Sequence, residues 1–259
     1  MQRSFAGVPL LPENSCLFLD FDGTLVDFAS TPAAIAVPQE LVPLLDALRS
    51  RLAGALALVS GRPLADLDHH LAPLRLPAAA LHGTLRRDAA GQVHGNPDNG
   101  TSDFLARTAV LRERLQRWSA THPGLLLEDK GLALAVHFRA MPRATAELLE
   151  LQRALHRELA GELPDGMELL SGDLVVEVRP RGSDKGLAVA AFLLEAPFRG
   201  RFPVYLGDDL ADLDGMAAVE QHGGMTIAVG QRIPARWRLP TPTDARDWLA
   251  ACLTTQQLP

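Results

Sequence analysis

A short apolar run, Cys16-Leu17-Phe18-Leu19, passes directly into the acidic sequence Asp20-Phe21-Asp22-Gly23-Thr24. An apolar run of this length is typical of a strand buried on both faces of a parallel sheet. Residues two apart on a strand point the same way, so we expect the carboxylates of Asp20 and Asp22 to converge where this strand ends. Ligands bind at that edge in open α/β sheets. Two like charges this close repel unless a cation neutralises them or one is protonated, so the pattern predicts a metal-assisted site in which one Asp attacks and the other moves protons.

Further apolar runs alternate with stretches of helical periodicity. Predicted strands lie at 55–59, 77–81, 202–206 and 225–230. Predicted helices lie at 38–52, 60–71, 184–194 and 244–253, and Ser60 lies at or near the N-terminus of the second one. This alternation is typical of an α/β fold with a doubly wound, mostly parallel sheet. We assign this core to residues 1–100 and 180–259, with 225–230 as its last strand.

The composition and the predicted element order change between the two core segments. Residues 84–100 are polar and glycine-rich, which predicts a hairpin followed by a linker. Residues 101–179 then show the order helix, strand, strand, helix, strand, strand, with the first helix at 102–122. The sequence therefore predicts a smaller α+β domain inserted at 101–179, which we interpret as a substrate-specificity cap.

Composition excludes several classes of function. The net charge is −6 and the sequence has no basic run, so we expect no positively charged surface that would bind nucleic acid or an anionic membrane. Two distant cysteines make neither a disulfide framework nor a zinc site. No signal core precedes the first strand, and no run approaches the ~20 apolar residues that span a bilayer. We expect a cytoplasmic monomer that acts on a small molecule.

Three more segments place reactive groups after predicted strands or at helix starts. Gly207-Asp208-Asp209-Leu210-Ala211-Asp212 is a second acidic cluster, suited to Mg²⁺, although acid at a helix N-terminus alone would also explain it. Ser60-Gly61-Arg62 offers a hydroxyl and backbone amides to a phosphate, or is a plain helix cap. Lys185 offers a point charge to a phosphate oxygen, or is a solvated lysine.

In chain order, these four segments resemble the four motifs of the haloacid-dehalogenase-like phosphatases. The closer resemblance is to the trehalose-6-phosphate phosphatases of bacteria, and it covers nearly the whole chain. The supporting segments are Leu56 to Arg62, His82-Gly83 with Arg86-Arg87-Asp88, Glu128-Asp129-Lys130-Gly131, His137-Phe138-Arg139, Val175 to Gly182, Gly207-Asp208-Asp209 and Gly223-Gly224-Met225.

The resemblance implies a role for each matching position in the core. Asp20 would be the nucleophile that forms an aspartyl-phosphate, and Asp22 would protonate the sugar oxygen and then deprotonate water. Ser60 and Lys185 would hold the phosphoryl oxygens. The resemblance also implies Mg²⁺ as cofactor, held by Asp20, the backbone carbonyl of Asp22, and Asp208, with Asp212 supporting them and Asp209 as a further candidate for support.

In the predicted cap, the resemblance assigns contacts with the sugar to Glu128, Lys130 and Glu177. Charged groups are strong hydrogen-bond partners for sugar hydroxyls. Arg139 and Arg179 are weaker candidates on the same domain. Solvated strand ends are the alternative explanation for the first three residues, and a structural or surface role is the alternative for the two arginines.

The resemblance implies hydrolysis of trehalose 6-phosphate to trehalose and phosphate, in trehalose biosynthesis. A phosphatase of another sugar phosphate, such as sucrose phosphate or a hexose phosphate, is one alternative. The other is a non-catalytic sensor of sugar phosphates. The sensor is supported only by Ala211 and Leu213, which replace the Thr and Glu of the family pattern GDDxTDE.

Overall fold

The computed structural model describes residues 7–95, 103–142, 144–172, 174–182 and 184–254. The chain divides into two compact units. Unit 1 comprises Met1–Phe28, Ile35–His94 and Asp184–Pro259, and unit 2 comprises Ala29–Ala34 and Gly95–Ser183. The sequence prediction for the inserted domain was 101–179, so the structural unit is a few residues longer at each end and adds a short upstream segment.

Unit 1 contains an eight-stranded sheet in the spatial order β12-β11-β10-β1-β2-β3-β4-β5. Strands β12 to β3 in this order are parallel, and β3, β4 and β5 are antiparallel neighbours. The mostly parallel sheet predicted from the sequence is therefore confirmed. Its strands are β1 (Ser15–Leu19), β2 (Leu56–Val59), β3 (Ala78–Ala80), β4 (Leu85–Arg87), β5 (Val93–His94), β10 (Phe202–Gly207), β11 (Met225–Val229) and β12 (Trp237–Leu239).

The register of the central strands aligns the predicted motifs. Leu19 at the end of β1 pairs with Leu206 of β10 on one side and with Leu58 of β2 on the other. The acidic sequences after β1 and β10 and the Ser60 loop after β2 therefore leave the sheet side by side. Parallel pairing is the cause, since it brings the carboxyl ends of neighbouring strands to one edge.

The helices are α1 (Leu41–Arg51), α2 (Leu64–Leu71), α3 (Ala109–Thr121), α4 (Thr145–Ala160), α5 (Lys185–Leu193), α6 (Leu213–Gln221) and α7 (Pro242–Thr254). In unit 1 they cover the sheet, and all five residues of β1 are buried as a result. Phe18 of β1 packs against Phe198 and Phe192, with ring centroids 5.5 and 6.0 Å apart. This aromatic cluster joins β1 to α5, the helix that carries Lys185.

Unit 2 contains a four-stranded antiparallel sheet in the order β6-β7-β9-β8. The strands are β6 (Leu126–Asp129), β7 (Leu134–His137), β8 (Met167–Gly172) and β9 (Val175–Pro180). With α3 before β6 and α4 between β7 and β8, the chain order is the one predicted, and the α+β architecture is confirmed.

Several local predictions differ from the structure. The prediction that 225–230 is the last strand is wrong, because β12 follows it and pairs with β11 in parallel. The helix predicted over 102–122 is interrupted at Thr108, whose hydroxyl donates to the carbonyl of Phe104 at 2.6 Å. Helix α6 was not predicted. The hairpin predicted within 84–100 is formed by β4 and β5, and the linker at 96–100 lies outside the described residues.

Among the described helices, none is long and apolar enough to cross a bilayer.

Candidate active site

Three buried carboxylates meet at the carboxyl edge of the parallel sheet. Asp20 follows β1, Asp208 follows β10, and Asp212 lies in the 3₁₀ turn that leads into α6. One oxygen from each lies within 4.8 Å of the others. All three side chains are in the protein interior, with residue exposures of 5%, 4% and 0%. Burial of three like charges is costly unless positive charge compensates them.

Lys185 supplies part of that compensation. It is the first residue of α5, and its Nζ donates to Asp20 Oδ1 at 2.7 Å and to Asp212 Oδ1 at 2.6 Å. Burial alone would lower the pKa of Lys185, but the charges of the two carboxylates outweigh it and raise the pKa above its ordinary value. Lys185 is therefore a fixed cation between two acidic side chains.

Asp212 accepts four hydrogen bonds. Its Oδ1 accepts from Lys185 Nζ and from the hydroxyl of Tyr205 at 2.8 Å, and its Oδ2 accepts from the backbone amides of Asp208 and Asp209 at 2.9 and 3.1 Å. A carboxylate has about four lone-pair sites, so both oxygens are fully used. Burial and the charge of Asp212 raise the pKa of Tyr205, which keeps its hydroxyl protonated as a donor.

The cluster carries more negative charge than these contacts neutralise. Burial, followed by the charge of Asp212, raises the pKa of Asp20 well above its ordinary value, and the same two causes raise the pKa of Asp208 to about 7. The pKa of such a carboxyl group rises because its neighbouring cations do not fully compensate for burial and for the nearby negative charge. Carboxylate oxygens with excess negative charge are the ligands that a hard divalent cation such as Mg²⁺ prefers, and Asp20 and Asp208 offer such oxygens side by side. The residues present therefore fit the metal that the family implies.

Asp208 has two further contacts. Thr24 Oγ1 donates to its Oδ1 at 3.2 Å, and Arg232 Nη1 donates to its Oδ2 at 2.8 Å. The Arg232 guanidinium also lies over the ring of Phe28, 4.5 Å from the centroid. The sequence interpretation did not single out Arg232. The only signal for it is its place just after β11, where that strand reaches the same edge of the sheet.

The carboxylate of Asp22 has a separate partner. Arg62 holds it in a bidentate pair, with Nε to Oδ2 at 2.7 Å and Nη2 to Oδ1 at 2.8 Å. Arg62 is itself buried, and its guanidinium lies 5.8 Å from the ring centroid of Phe21. The sequence predicted that the two carboxylates of the first motif share one spot, but the structure groups Asp20 with Asp208 and Asp212 and gives Asp22 to Arg62.

Ser60 is buried after β2, and its Oγ accepts from the amide of Arg62 at 3.2 Å. A neighbouring segment with unusual backbone supports this loop. Leu81, His82 and Gly83 have positive φ angles of 50°, 54° and 97°, a conformation that costs free energy for the first two. The amide of His82 donates to the Ser60 carbonyl at 3.0 Å, and its ring lies so close to Gly61 that a Cβ there would be 2.5 Å from Nε2.

In unit 2, the structure brings together all three residues predicted to contact sugar. Glu128 of β6 and Glu177 of β9 both lie opposite Ala135 of β7, so they share one face of the sheet. Lys130 Nζ donates to Glu177 Oε2 at 2.6 Å. Two carboxylates and an ammonium therefore lie close together in space on this unit.

Glu128 is also paired with a histidine. His137 Nε2 lies 2.7 Å from Glu128 Oε2. Burial alone would raise the pKa of Glu128, but the His137 hydrogen bond and the charge of Lys130 outweigh it and hold the pKa below its ordinary value. Glu128 is therefore ionised and able to accept hydrogen bonds at neutral pH.

The two weaker candidates differ in their contacts. Arg179 lies directly opposite Glu168 in the β8–β9 ladder and donates Nε to its Oε1 at 2.9 Å. That pair explains Arg179 as part of the sheet. Arg139 is half-buried just beyond β7.

Ala211 and Leu213, which depart from the family pattern, lie at the start of helix α6 and in the turn before it. Ala211 lies in the 3₁₀ turn between Asp209 and α6, and Leu213 is the first residue of α6. Leu213 is partly buried and packs against the hydrophobic core of unit 1. Asp212, between them, keeps all four of its hydrogen bonds, so the turn still organises the acidic cluster.

The doubly wound sheet, with an acidic cluster and a buried lysine at its carboxyl edge, and the α+β unit give this chain the fold of solved phosphatases of the haloacid-dehalogenase superfamily. One of these, from Bacteroides thetaiotaomicron, matches with a TM-score of 0.59 and 17% identity over 95% of this chain and 97% of that one. A solved structure of a trehalose-6-phosphate phosphatase related protein has this fold. It matches with a TM-score of 0.74 and 26% identity, over 92% of this chain and 96% of that one.

Sequence comparison gives the particular family. A family model for trehalose-phosphatase matches residues 18–237. The probable trehalose-phosphate phosphatase of Sinorhizobium fredii is 45% identical over 224 residues, which cover 86% of this chain and 80% of that protein. The trehalose-6-phosphate phosphatase of Escherichia coli is 38% identical over 258 residues, which cover 99% and 93%. The chain belongs to the trehalose-phosphatase family of enzymes, as its resemblance predicted.

Proposed function

We propose that this enzyme hydrolyses trehalose 6-phosphate to trehalose and phosphate, with Mg²⁺ as cofactor and Asp20 as the nucleophile. The observation that carries the proposal is the buried cluster of Asp20, Asp208 and Asp212 around Lys185, in a chain of the trehalose-phosphatase family. Similarity to curated trehalose-phosphate phosphatases over most of the chain supports the substrate.

Asp20 and Asp208 are the side chains that we propose as Mg²⁺ ligands, together with the backbone carbonyl of Asp22. Asp212 fits the supporting role better than that of a ligand, because two amides, a hydroxyl and an ammonium already occupy its oxygens. When bound, Mg²⁺ supplies positive charge that stabilises the phosphoryl oxygens and the ionised form of Asp20.

The chemistry then follows from two carboxylates with different partners. An oxygen of Asp20 attacks phosphorus, the bond from phosphorus to the sugar oxygen breaks, and that oxygen takes a proton from Asp22. Water next attacks the aspartyl-phosphate, Asp22 takes its proton, and phosphate leaves Asp20. The bidentate pair with Arg62 holds the Asp22 carboxyl group in one orientation.

Lys185 and Ser60 position the phosphoryl group in this proposal. Lys185 contacts Asp20 directly, so its ammonium lies beside the carboxylate that attacks. The Ser60 hydroxyl lies at the end of the neighbouring strand, next to the loop that leads into α2. Phosphoryl transfer depends mainly on such positioning and charge neutralisation.

For the sugar, we propose Glu128, Lys130 and Glu177 as hydrogen-bonding partners of the hydroxyl groups. Their support is their shared face on the sheet of unit 2 and the ionised state of Glu128. We propose Arg139 as a further contact. Arg179 has a weaker case, because its Nε is used by Glu168.

Phosphate release with Mg²⁺ tests this function, with trehalose 6-phosphate compared with sucrose 6-phosphate and glucose 6-phosphate. We expect strong preference for the trehalose ester, and loss of activity in Asp20→Asn and after chelation of the metal. Glu177→Gln should raise KM for the trehalose ester, whereas Glu150→Gln, which changes an exposed glutamate on α4 of the same unit, should leave KM unchanged.

The alternatives give different results in the same experiment. Preferred turnover of another ester would keep the phosphatase and overturn the substrate. Binding of the ester without turnover, and without a beryllium-fluoride adduct at Asp20, would favour a sensor.

A further inference from the structure

The guanidinium of Arg62 makes contacts in two directions. Its Nε and Nη2 donate to the two carboxylate oxygens of Asp22, at 2.7 and 2.8 Å. Its Nη1 faces helix α2, where it lies 3.5 Å from Asp66 Oδ2 and 3.4 Å from His70 Nε2. Asp66 and His70 are four residues apart, so they lie on the same face of α2. Arg62 therefore connects this face of the helix to the carboxyl group that is proposed to move protons.

The ring of His70 has a second contact that fixes its position. It stacks on Phe21, with ring centroids 6.2 Å apart and an angle of 28° between the planes. Phe21 is fully buried and lies between Asp20 and Asp22 in the chain, and the Arg62 guanidinium lies 5.8 Å from the centroid of the same ring. Phe21, His70 and Arg62 therefore form one packed group, in which the imidazole meets the guanidinium from a fixed position.

The contact between Arg62 and His70 depends on the protonation state of the imidazole. A guanidinium has only donors, so Nε2 accepts from Nη1 only when Nε2 carries no proton. Burial lowers the pKa of His70, and the charges of Arg62 and His69 lower it further. The charges of Asp66 and Asp22 act in the opposite direction without reversing the shift. The imidazole is therefore neutral at pH 7, and with its proton on Nδ1 it gives Nη1 an acceptor.

We propose that His70 is a positioning residue for the acid–base carboxyl group, because its neutral imidazole holds Arg62 in the orientation that directs Asp22. The inference rests on the proposed function, in which Asp22 protonates the sugar oxygen and then deprotonates water. His70 acts through Arg62 and not on the reacting atoms. When the imidazole takes up a proton, Nε2 becomes a donor facing another donor, and two positive charges lie 3.4 Å apart. Arg62 then loses this support, so activity falls as the pH decreases.

Three variants of the full chain separate the hydrogen bond from the packing. His70→Leu keeps an apolar side chain against Phe21 but has no acceptor for Arg62. His70→Gln offers a side-chain carbonyl oxygen, which accepts a hydrogen bond and does not titrate. His69→Leu is the matched control, since His69 is an exposed histidine at the preceding position of α2, with its ring 5.3 Å from the ring of His70.

Phosphate release from trehalose 6-phosphate at pH 7 gives the first comparison. We expect kcat to fall about threefold to tenfold in His70→Leu, which corresponds to about one hydrogen bond, with KM within about twofold of the wild type. His70→Gln and His69→Leu should keep kcat within about twofold of the wild type, because the first retains an acceptor and the second leaves His70 in place.

A second ester tests whether the loss concerns proton transfer. The nitrophenolate of p-nitrophenyl phosphate leaves without needing a proton, so kcat/KM for this ester depends less on Asp22 than kcat/KM for the sugar ester. We expect His70→Leu to lower kcat/KM for trehalose 6-phosphate and to leave kcat/KM for p-nitrophenyl phosphate within about twofold of the wild type. A general weakening of the site would lower both values equally.

The pH dependence gives an independent readout. The ratio of kcat in His70→Gln to kcat in the wild type should be close to one at pH 7 and should rise as the pH falls towards 5, because only the wild type has an imidazole at position 70 to protonate. The corresponding ratio for His69→Leu should stay constant. In nitrogen NMR spectra at pH 7, the imidazole signals that disappear in His70→Gln should show a protonated Nδ1 and an unprotonated Nε2.

The outcomes separate this proposal from the proposed function. Equal losses with both esters in His70→Leu, a kcat ratio for His70→Gln that is constant with pH, or a protonated Nε2 at pH 7 would each overturn the positioning role and leave the proposed function standing. Phosphate release from no ester in the wild type would overturn the proposed function and this inference with it. If His70→Leu fails to fold, the kcat ratio for His70→Gln decides, and a constant ratio would count against the proposal.

Discussion

Substitution of Gly83 by alanine should lower both stability and catalytic activity, because the backbone of Gly83 lies against the start of helix α5, where Lys185 is located. Its φ of +97° is unfavourable for any residue with a side chain, at a cost of about 1–2 kcal/mol. A Cβ would also lie 2.4 Å from the carbonyl oxygen of Asp184. Asp184 caps α5, and Lys185 follows it, so the clash can be relieved only by moving the start of that helix. Overpacking of this kind costs about 1–3 kcal/mol more.

The expected loss for Gly83→Ala is therefore about 2–5 kcal/mol in the free energy of unfolding, measured by urea denaturation. Phosphate release should fall as well, by about tenfold to a hundredfold, since a displacement of about 1 Å in a positioning group has effects of this size. The loss of activity and the overpacking part of the stability loss come from the one contact with Asp184, so they should appear together.

Gly91→Ala is the matched control. Gly91 has a similar φ of +84°, but a Cβ there would meet nothing within 4 Å. It should lose only the conformational part, about 1–2 kcal/mol, and keep full activity. The reasoning would be refuted if the two variants lost equal stability, or if Gly83→Ala kept wild-type activity.

Three further substitutions test the charges and hydrogen bonds of unit 1. Tyr205→Phe removes the hydroxyl that donates to Asp212 and should lower the free energy of unfolding by about 1.5–3 kcal/mol in urea denaturation; a loss below about 0.5 kcal/mol would contradict the role of this bond. Lys185→Met leaves buried carboxylates without their cation and should cost about 3–5 kcal/mol without metal, with part restored by Mg²⁺; equal melting temperatures with and without Mg²⁺ would count against the site. Asp68 is bonded by both terminal nitrogens of Arg87, at 2.8 and 2.7 Å, and although burial raises its pKa, these bonds outweigh it and lower the pKa. Its stabilisation is therefore complete above the unfolded pKa of about 3.9 and is lost as the pH falls through the folded pKa. Asp68→Asn should cost about 1–3 kcal/mol at pH 7, and its difference from the wild type should narrow as the pH approaches 3; a constant difference would refute the assignment.

The architecture was predictable because each motif follows an apolar run. A run such as 16–19 is too apolar for an exposed strand and too short for a helix, so it indicates a buried parallel strand. Parallel pairing then sends all strand ends to one edge, and the acidic segments after β1 and β10 must meet there. Strand β12 escaped prediction because Trp237–Leu239 is three residues long and lies between prolines, which leaves no periodicity to detect.

The arginines that pair with the acidic residues could not be predicted from the sequence. Arg62 lies forty positions from Asp22, and Arg232 lies twenty-four from Asp208. Neither separation corresponds to a helix or strand repeat, since the contacts depend on which strands are neighbours in the sheet. The segment Ser60-Gly61-Arg62 predicts a hydroxyl and backbone amides for a phosphate, whereas in the structure its arginine makes a bidentate pair with Asp22.

Asp212 shows why the role of a residue needs its donors as well as its position. The motif places it near Asp208, and an acidic residue there is consistent with a metal ligand. Its four hydrogen bonds come from the turn after β10, from Tyr205 within β10, and from Lys185 on α5. These donors occupy both oxygens, and through them the one carboxylate holds the backbone of Asp208 and the ammonium of Lys185. Asp212 is thus the inner member of the acidic cluster, because it holds the backbone of Asp208 and the lysine that contacts Asp20. Asp20 and Asp208 are the members with oxygens left for a cation.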